Sequence, residues 1–257
     1  MKFLITRSEP HASQLASRLK SMGIESIHTE AMSIEPIPLS GESRSHLMNL
    51  DLFDYVVVVS ANAANILADH IDRLWPQLPV DIEWVAIGKA TAHKLSDEIA
   101  ELPSYCIHTP DGVDSEALLS LPIFKQSLDG KKVLLVKGEG GRNLIQQTLT
   151  EQGVSVTELP LYRRAPAYHN AKIAQDFYQD GLDFIQIASG DGFLSLLALL
   201  NHNATQKMRI DRNARWIVPS ERVAQLLISH GINESAVLVS NGASNDALIE
   251  TLSSESV

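Results

Sequence analysis

The strongest constraint on this chain's fold is that it repeats itself. "KFLITRSEP…LKSMGIESIHTEAMSIEP" is matched by "KVLLVKGEGG…LTEQGVSVTELPLYRRAP". Gly23 pairs with Gly153 and Pro36 with Pro166, in each case 130 positions on (153 − 23; 166 − 36). "DYVVVVSANAANIL" is then matched by "DFIQIASGDGFLSL", Asp54 by Asp183 and Ser60 by Ser189, 129 positions on (183 − 54; 189 − 60). "WVAIGKATAHKL" is likewise similar to "WIVPSERVAQLL". The order along the chain is A, B, A′, B′.

Short runs rich in Val and Ile that end in turn residues predict strands over 2–6, 26–36, 54–60, 83–88, 104–109, 131–137, 155–164, 183–189, 215–220 and 236–240. Amphipathic runs lie between most of them. "HASQLASRLKSMG" puts Leu15, Leu19 and Met22 on one face and stops at Gly23; "NLIQQTLTEQG" does the same with Leu144, Ile145, Leu149 and Gly153. Strands that alternate with helices predict an α/β fold with mostly parallel sheets. Neither an A nor a B unit can bury a sheet alone. A pairs with B and A′ with B′, or A pairs with B′ and B with A′; repetition does not choose. The extended ends "SIHTEAMSIEPIP" and "VSVTELPLYRRAP" are each longer than a typical strand. Both are able to continue into a bridge, which favours the second pairing. The expectation is two parallel-sheet lobes of flavodoxin-like type joined by a two-stranded antiparallel linker. The first lobe takes residues 1–35 and 168–257, the second 38–162, with linker strands near 32–38 and 162–168. A cleft between the lobes would have the linker as its floor.

Composition narrows the function. The chain has 257 residues and a formal net charge of -10, which argues against a general nucleic-acid binder. No run approaches the ~20 apolar residues of a membrane span, and "MKFLITRSEP" is a poor signal peptide; a cytoplasmic location is expected. Cys106 is the one cysteine and is read as buried in a strand. The nine histidines show no ligand spacing, so no metal is expected. A monomer is expected, since no coiled coil or long apolar stripe is present.

Ligands of open α/β sheets bind beyond the C-terminal strand ends, where helix N-termini offer N–H donors to anions. Those positions here are "TRSEP", "SANAAN", "GKATA", "KGEGGR", "SGDG" and "PSER". They place Arg7, Lys89, Lys137, Arg142 and Arg222 at one edge of an acidic protein, beside Ser60, Asn62, Gly138, Gly141, Ser189, Gly190 and Ser220. An anionic small molecule is the expected ligand. The serines also suit helix N-caps, and Asp54 and Asp183 lie at the wrong strand ends, so they are read as structural. "GEGGR" is a weak dinucleotide signal, because Asn143 stands where a third glycine belongs. In "LPLYRRAP" strand alternation puts Tyr162 and Arg164 on one side and Arg163 on the other. The matching residues of the first copy are Met32, Ser33 and Ile34, so the repeat does not explain this cluster.

Together, "TR", "VSANA", "AIGKATA", "LLVKGEGGRNLI", "LYRRAP", "SGDG", "VPSERVA" and "SNDAL", in this order, resemble the uroporphyrinogen-III synthase family. The resemblance implies two α/β lobes with a two-stranded linker and the A with B′ pairing. It implies a cofactor-free lyase that closes hydroxymethylbilane, four linked pyrroles bearing acetate and propionate, with loss of water and inversion of ring D. It implies that Tyr162 helps the hydroxyl leave. Glu221 replaces a hydroxyl residue found in some relatives, which removes support for a role at that position. A linear tetrapyrrole is the expected partner, with transient contact to the preceding pathway enzyme as a further expectation. A bilobal polycarboxylate-binding protein without catalysis, and a nucleotide-dependent enzyme using "GEGGR", are the competing readings.

Overall fold

The computed structural model describes residues 1–168, 172, 176–177, 182–202 and 214–255. Its strands are β1 (Lys2–Ile5), β2 (Glu25–His28), β3 (Met32–Pro36), β4 (Tyr55–Val58), β5 (Glu83–Ala86), β6 (Ile107–His108), β7 (Lys132–Gly138), β8 (Ser155–Pro166), β9 (Phe184–Gln186), β10 (Arg215–Val218) and β11 (Val237–Val239). The described α-helices are α1 (His11–Ser21), α2 (Gly41–Met48), α3 (Ala61–Leu74), α4 (Lys89–Glu98), α5 (Ser115–Leu119), α6 (Leu144–Glu151), α7 (Gly190–His202), α8 (Glu221–Ser229) and α9 (Asn245–Glu255).

The chain divides into two compact units, Met1–Ser33 with Ala165–Val257, and Ile34–Arg164. The first holds a parallel five-stranded sheet in the order β11-β10-β9-β1-β2. Thus A shares its sheet with B′. The second sheet runs β3-β8-β7-β4-β5-β6, and its last five strands are parallel. With matching strands given matching numbers, both five-strand sets have the flavodoxin-like order 2-1-3-4-5. β3 joins the second sheet antiparallel to β8. Ala167 N–H donates to Ala31 O at 3.1 Å and Ile37 N–H to Leu161 O at 2.9 Å. The chain passes between units inside these two paired strands.

Both faces of each sheet are covered. In the second unit Val56, Val58, Leu134 and Val136 pack with Ala64 and Leu67 of α3 and Leu95 of α4. The alternate residues Val57, Val133 and Leu135 pack with Leu118, Ile145 and Leu149 of α5 and α6. In the first unit Leu4 and Ile185 meet α7 and α8, while Phe3 and Ile5 meet α1 and α9. Period-2 strands between period-3.6 helices are what this burial requires.

Several local expectations change. The run 26–36 is two strands, because Thr29, Glu30 and Ala31 leave the first sheet before β3 begins. Only Ile107–His108 of the 104–109 run is strand; Ser104–Cys106 forms a 3-10 turn and Cys106 is exposed. Pro103 is extended just before that turn. Met22 is 42 % exposed because it caps α1 at its C-terminus instead of continuing its buried face.

Asp54 and Asp183 tie each sheet together at the N-terminal strand ends. Asp183 Oδ2 accepts the Lys2 N–H at 2.7 Å, and Asp54 Oδ2 accepts the Lys132 N–H at 2.8 Å. Asp54 also takes a 2.7 Å bond from Lys131 Nζ. Burial opposes its charge, but the bonds from Lys131 and Lys132 prevail and hold the carboxyl below its ordinary value of 3.8. A depressed pKa contributes stability above the unfolded value, and that contribution is lost as pH falls through the folded one. Urea unfolding should therefore show Asp54→Asn less stable than the parent by a constant margin from about pH 7 to about pH 5, closing towards about pH 3. A margin that persists at the acidic end would show that the charge of Asp54 is not what ties the strands.

Candidate active site

β7 and β4 are neighbours whose following helices go to opposite faces of the sheet, α6 to one and α3 to the other. Chain ends diverging in this way leave a crevice beyond the strand C-termini. A cavity of about 220 Å³ occupies that place. Val59, Ile87, Leu135 and Ile145 form its apolar wall, and Ser115, Lys137, Glu139, Arg142, Tyr162 and Arg164 its polar one. The loop Gly138–Gly141 closes one side. Gly140 and Gly141 have φ of 74° and 88°, a left-handed pair that side chains resist.

A break in strand register turns Tyr162, which lines the cavity, towards the start of α3. Val136 pairs with Leu159 and Lys137 with Pro160, but Gly138 pairs with Tyr162. Leu161 is one residue too many, a β-bulge. Pro160 beside it cannot donate to a ladder, and bulges are where interior strands accept proline. The extra residue reverses the side on which the following residues emerge. Tyr162 therefore joins Leu159 and Leu161 in the cluster under α3. Its ring lies against Gly138, where an added Cβ would come within 2.6 Å of Tyr162 Cζ. Its hydroxyl is 3.0 Å from Ser60 Oγ. Ser60 is the N-cap of α3 and accepts the Ala63 N–H at 3.0 Å. Tyr162 is 2 % exposed and lines the cavity.

A family model described as uroporphyrinogen-III synthase HemD matches residues 13–250. The uroporphyrinogen-III synthase of Escherichia coli (strain K12) is 30% identical over 259 residues, 98% of this chain and all of that one. The chain belongs to the uroporphyrinogen-III synthase family. The synthase of Proteus mirabilis is 33% identical over 64% of this chain and 80% of its own length. Among solved structures, the Helicobacter pylori 26695 enzyme superposes with a TM-score of 0.61 at 14% identity, covering 98% of both chains. A mutant synthase from the extremely thermophilic bacterium Thermus thermophilus gives 0.58 at 16%, covering 99% of both. At such identities these two structures speak for the shared fold.

The other expected site residues of this family member fall into distinct situations. Lys137 is 7 % exposed and its ammonium is held by Glu158 at 2.8 Å, so its charge is already balanced. Arg142 makes an exposed 3.3 Å contact with Glu116. Arg163 turns away from the cavity to Glu35, at 3.0 Å. Arg164 lines the cavity with no carboxylate partner among the described residues. Lys89 and Asn62 are exposed in the first turns of α4 and α3.

In the first unit, Arg7 follows β1 at the position that Lys137 takes near the end of β7. Arg7 lines a broad hollow with His11, Ser244 and Asn245. Its Nη1 donates to Asn245 Oδ1 at 2.6 Å, while its buried Nε has no partner among the described residues. Burial lowers the guanidinium pKa, which is no bar to its charge at neutral pH. Ser189 accepts the Gly192 N–H at 3.0 Å, and Gly190 opens α7. Ser220 stands at the N-cap of α8 without a side-chain cap bond, and Arg222 is exposed in the first turn. Sequence reading missed the roles of Gly138 as a platform and of Glu158 as the partner of Lys137.

A methyl group at Gly138 has to push the Tyr162 ring aside or shift β7. Gly138→Ala should lower folding stability by about 1–3 kcal/mol in urea titrations. An unchanged stability, with Tyr162 still on Ser60 in a structure of the variant, would remove Gly138 as the platform.

Proposed function

We propose that the Tyr162 cavity is where the departing hydroxyl of hydroxymethylbilane is received, so that ring closure to uroporphyrinogen III begins in the second unit. The observation that carries this reading is one phenol, held on Gly138 and bonded to Ser60, lining a hollow of mixed polar and apolar walls beside Arg164, which has no carboxylate partner among the described residues. A volume of about 220 Å³ is below the ~300–1,000 Å³ of pockets for drug-sized ligands. It suits one ring and its hydroxymethyl group, not a whole tetrapyrrole. The remainder of the substrate then depends on other groups at strand C-termini.

Those groups are spread over both units and are suited to carboxylates. Arg164 and Arg142 serve this purpose in the second unit, with the exposed Lys89 and Asn62 and the backbone at Gly138 and Gly141. Arg7, Ser220 and Arg222, with the helix starts at Ser189 and Gly190, serve it in the first. Lys137 acts through position, since Glu158 already holds its charge. A cytoplasmic location and a monomer fit this reading. The bilane is electron-rich and inclined to cyclise unaided, so the protein's task is to choose which carbon is attacked. Orientation of that kind is worth ~7–11 kcal/mol, which makes strong acids and metals unnecessary. A phenol donates a proton to a leaving oxygen at neutral pH without first losing its own.

The test is an isomer assay with freshly made hydroxymethylbilane. The parent protein should give the type III product, and a passive binder would leave the spontaneous type I product. Tyr162→Phe should slow type III formation about 10²-fold and leave the fold intact. Type III formation at the parent rate would exclude the phenol from the reaction. Arg164→Gln and Arg7→Gln should raise KM several-fold with smaller effects on kcat; an unchanged KM in either variant would remove that residue from substrate binding.

A further inference from the structure

Resting on the reading of Tyr162 above, we propose that Ser60 is the positioning residue that aims the Tyr162 proton. It would be the middle link of a donor chain running from the first turn of α3 to the substrate hydroxyl.

A serine hydroxyl has one proton and two lone pairs. The Ala63 N–H already takes one lone pair of Ser60 Oγ at 3.0 Å. Tyr162 Oη, 3.0 Å away, is the other described partner. Two proton orders satisfy this contact. In one, the phenol donates to Ser60 and offers the cavity only lone pairs. In the other, Ser60 donates to the phenol oxygen, and the phenol proton is free to point at a ligand. The positive end of the 14-residue α3 favours the second, because it repels protons and attracts lone pairs. The order is then Ala63 N–H to Ser60 Oγ–H to Tyr162 Oη–H, each bond strengthening the next.

The duplicated half supplies an internal comparison. Ser189 occupies the matching place and accepts the Gly192 N–H at 3.0 Å. The counterpart of Tyr162 there is Met32, which has no hydroxyl. Capping accounts for Ser189. Ser60 does the same capping and additionally holds a phenol.

The step balances as follows. The C–O bond of the hydroxymethyl group breaks, and its electron pair goes to oxygen. That oxygen takes the Tyr162 proton and leaves as water. The pyrrole nitrogen lone pair moves in to satisfy the carbon left behind. Negative charge growing on Tyr162 Oη is met by the Ser60 O–H, itself backed by the α3 amide. When the attacked ring carbon later releases its proton, the phenol is restored.

A kinetic double-mutant cycle tests this against mere capping. Ser60→Ala should lower kcat about tenfold with KM little changed, and Ser60→Thr should restore most of that loss. In the Tyr162→Phe background, Ser60→Ala should cause no further fall. Ser60→Asp keeps a good cap but has no proton to give at neutral pH, so it should fold normally and turn over as slowly as Ser60→Ala. A Ser60→Asp enzyme with the parent kcat would overturn the donor chain. So would a Ser60→Ala penalty of equal size with and without the phenol. A Tyr162→Phe enzyme with the parent rate is a different result, and it would remove the reading of Tyr162 itself.

Discussion

One surplus residue in β8 decides which way Tyr162 faces. In an unbroken register Leu161 would lie opposite Gly138, and strand alternation would send Tyr162 to the face away from Leu159 and α3. The bulge brings it back, and the missing side chain at Gly138 gives the ring somewhere to lie. Each feature would be a defect by itself: a bulge weakens a ladder, and glycine weakens a strand. Together they place a phenol oxygen next to the start of a helix, within a sheet whose other residues keep regular register.

The duplication allows the two copies to be compared part by part. Both copies keep the same mechanical parts. An aspartate ties the N-terminal strand ends in each sheet, and a serine caps the helix after the third spatial strand in each. Each copy has a basic residue near the C-terminal end of its first strand, Arg7 just after β1 and Lys137 within β7. The copies diverge where chemistry is concerned. Lys137 is neutralised by Glu158, while Arg7 keeps a buried Nε without a described partner. The second copy has Tyr162, Arg163 and Arg164 where the first has Met32, Ser33 and Ile34.

Much of the fold was legible because it rests on periodicity. The α/β class, parallel sheets and antiparallel β3–β8 pair follow from alternating patterns and from extended segments too long for one strand. The break at Thr29–Ala31 and the exposure of Cys106 were not legible. Both depend on where a strand loses its neighbour, which is a property of the sheet and not of the segment. The candidate site was legible in residue type but not in geometry. Leu161 and Tyr162 are adjacent large apolar residues beside Pro160, and that local loss of alternation is the sign of a bulge. Nothing in the spacing of Lys137 and Glu158 announces their ion pair, since it needs the β7–β8 register first.

A net charge of -10 would repel a substrate bearing several carboxylates if charge acted as a sum. It does not. Screening limits exposed charges to a reach of ≈ 8 Å at physiological ionic strength, so a polyanion responds to the groups it touches. Asp54 and Asp183 lie at the N-terminal strand ends, while Arg7, Arg142 and Arg164 lie at or beyond the C-terminal ones. Within each unit the five parallel strands separate the two sets by their own length, because those strands point one way. The polarity that gathers helix N-termini at one edge also keeps the structural carboxylates at the other. The acidic composition is therefore compatible with an anionic ligand.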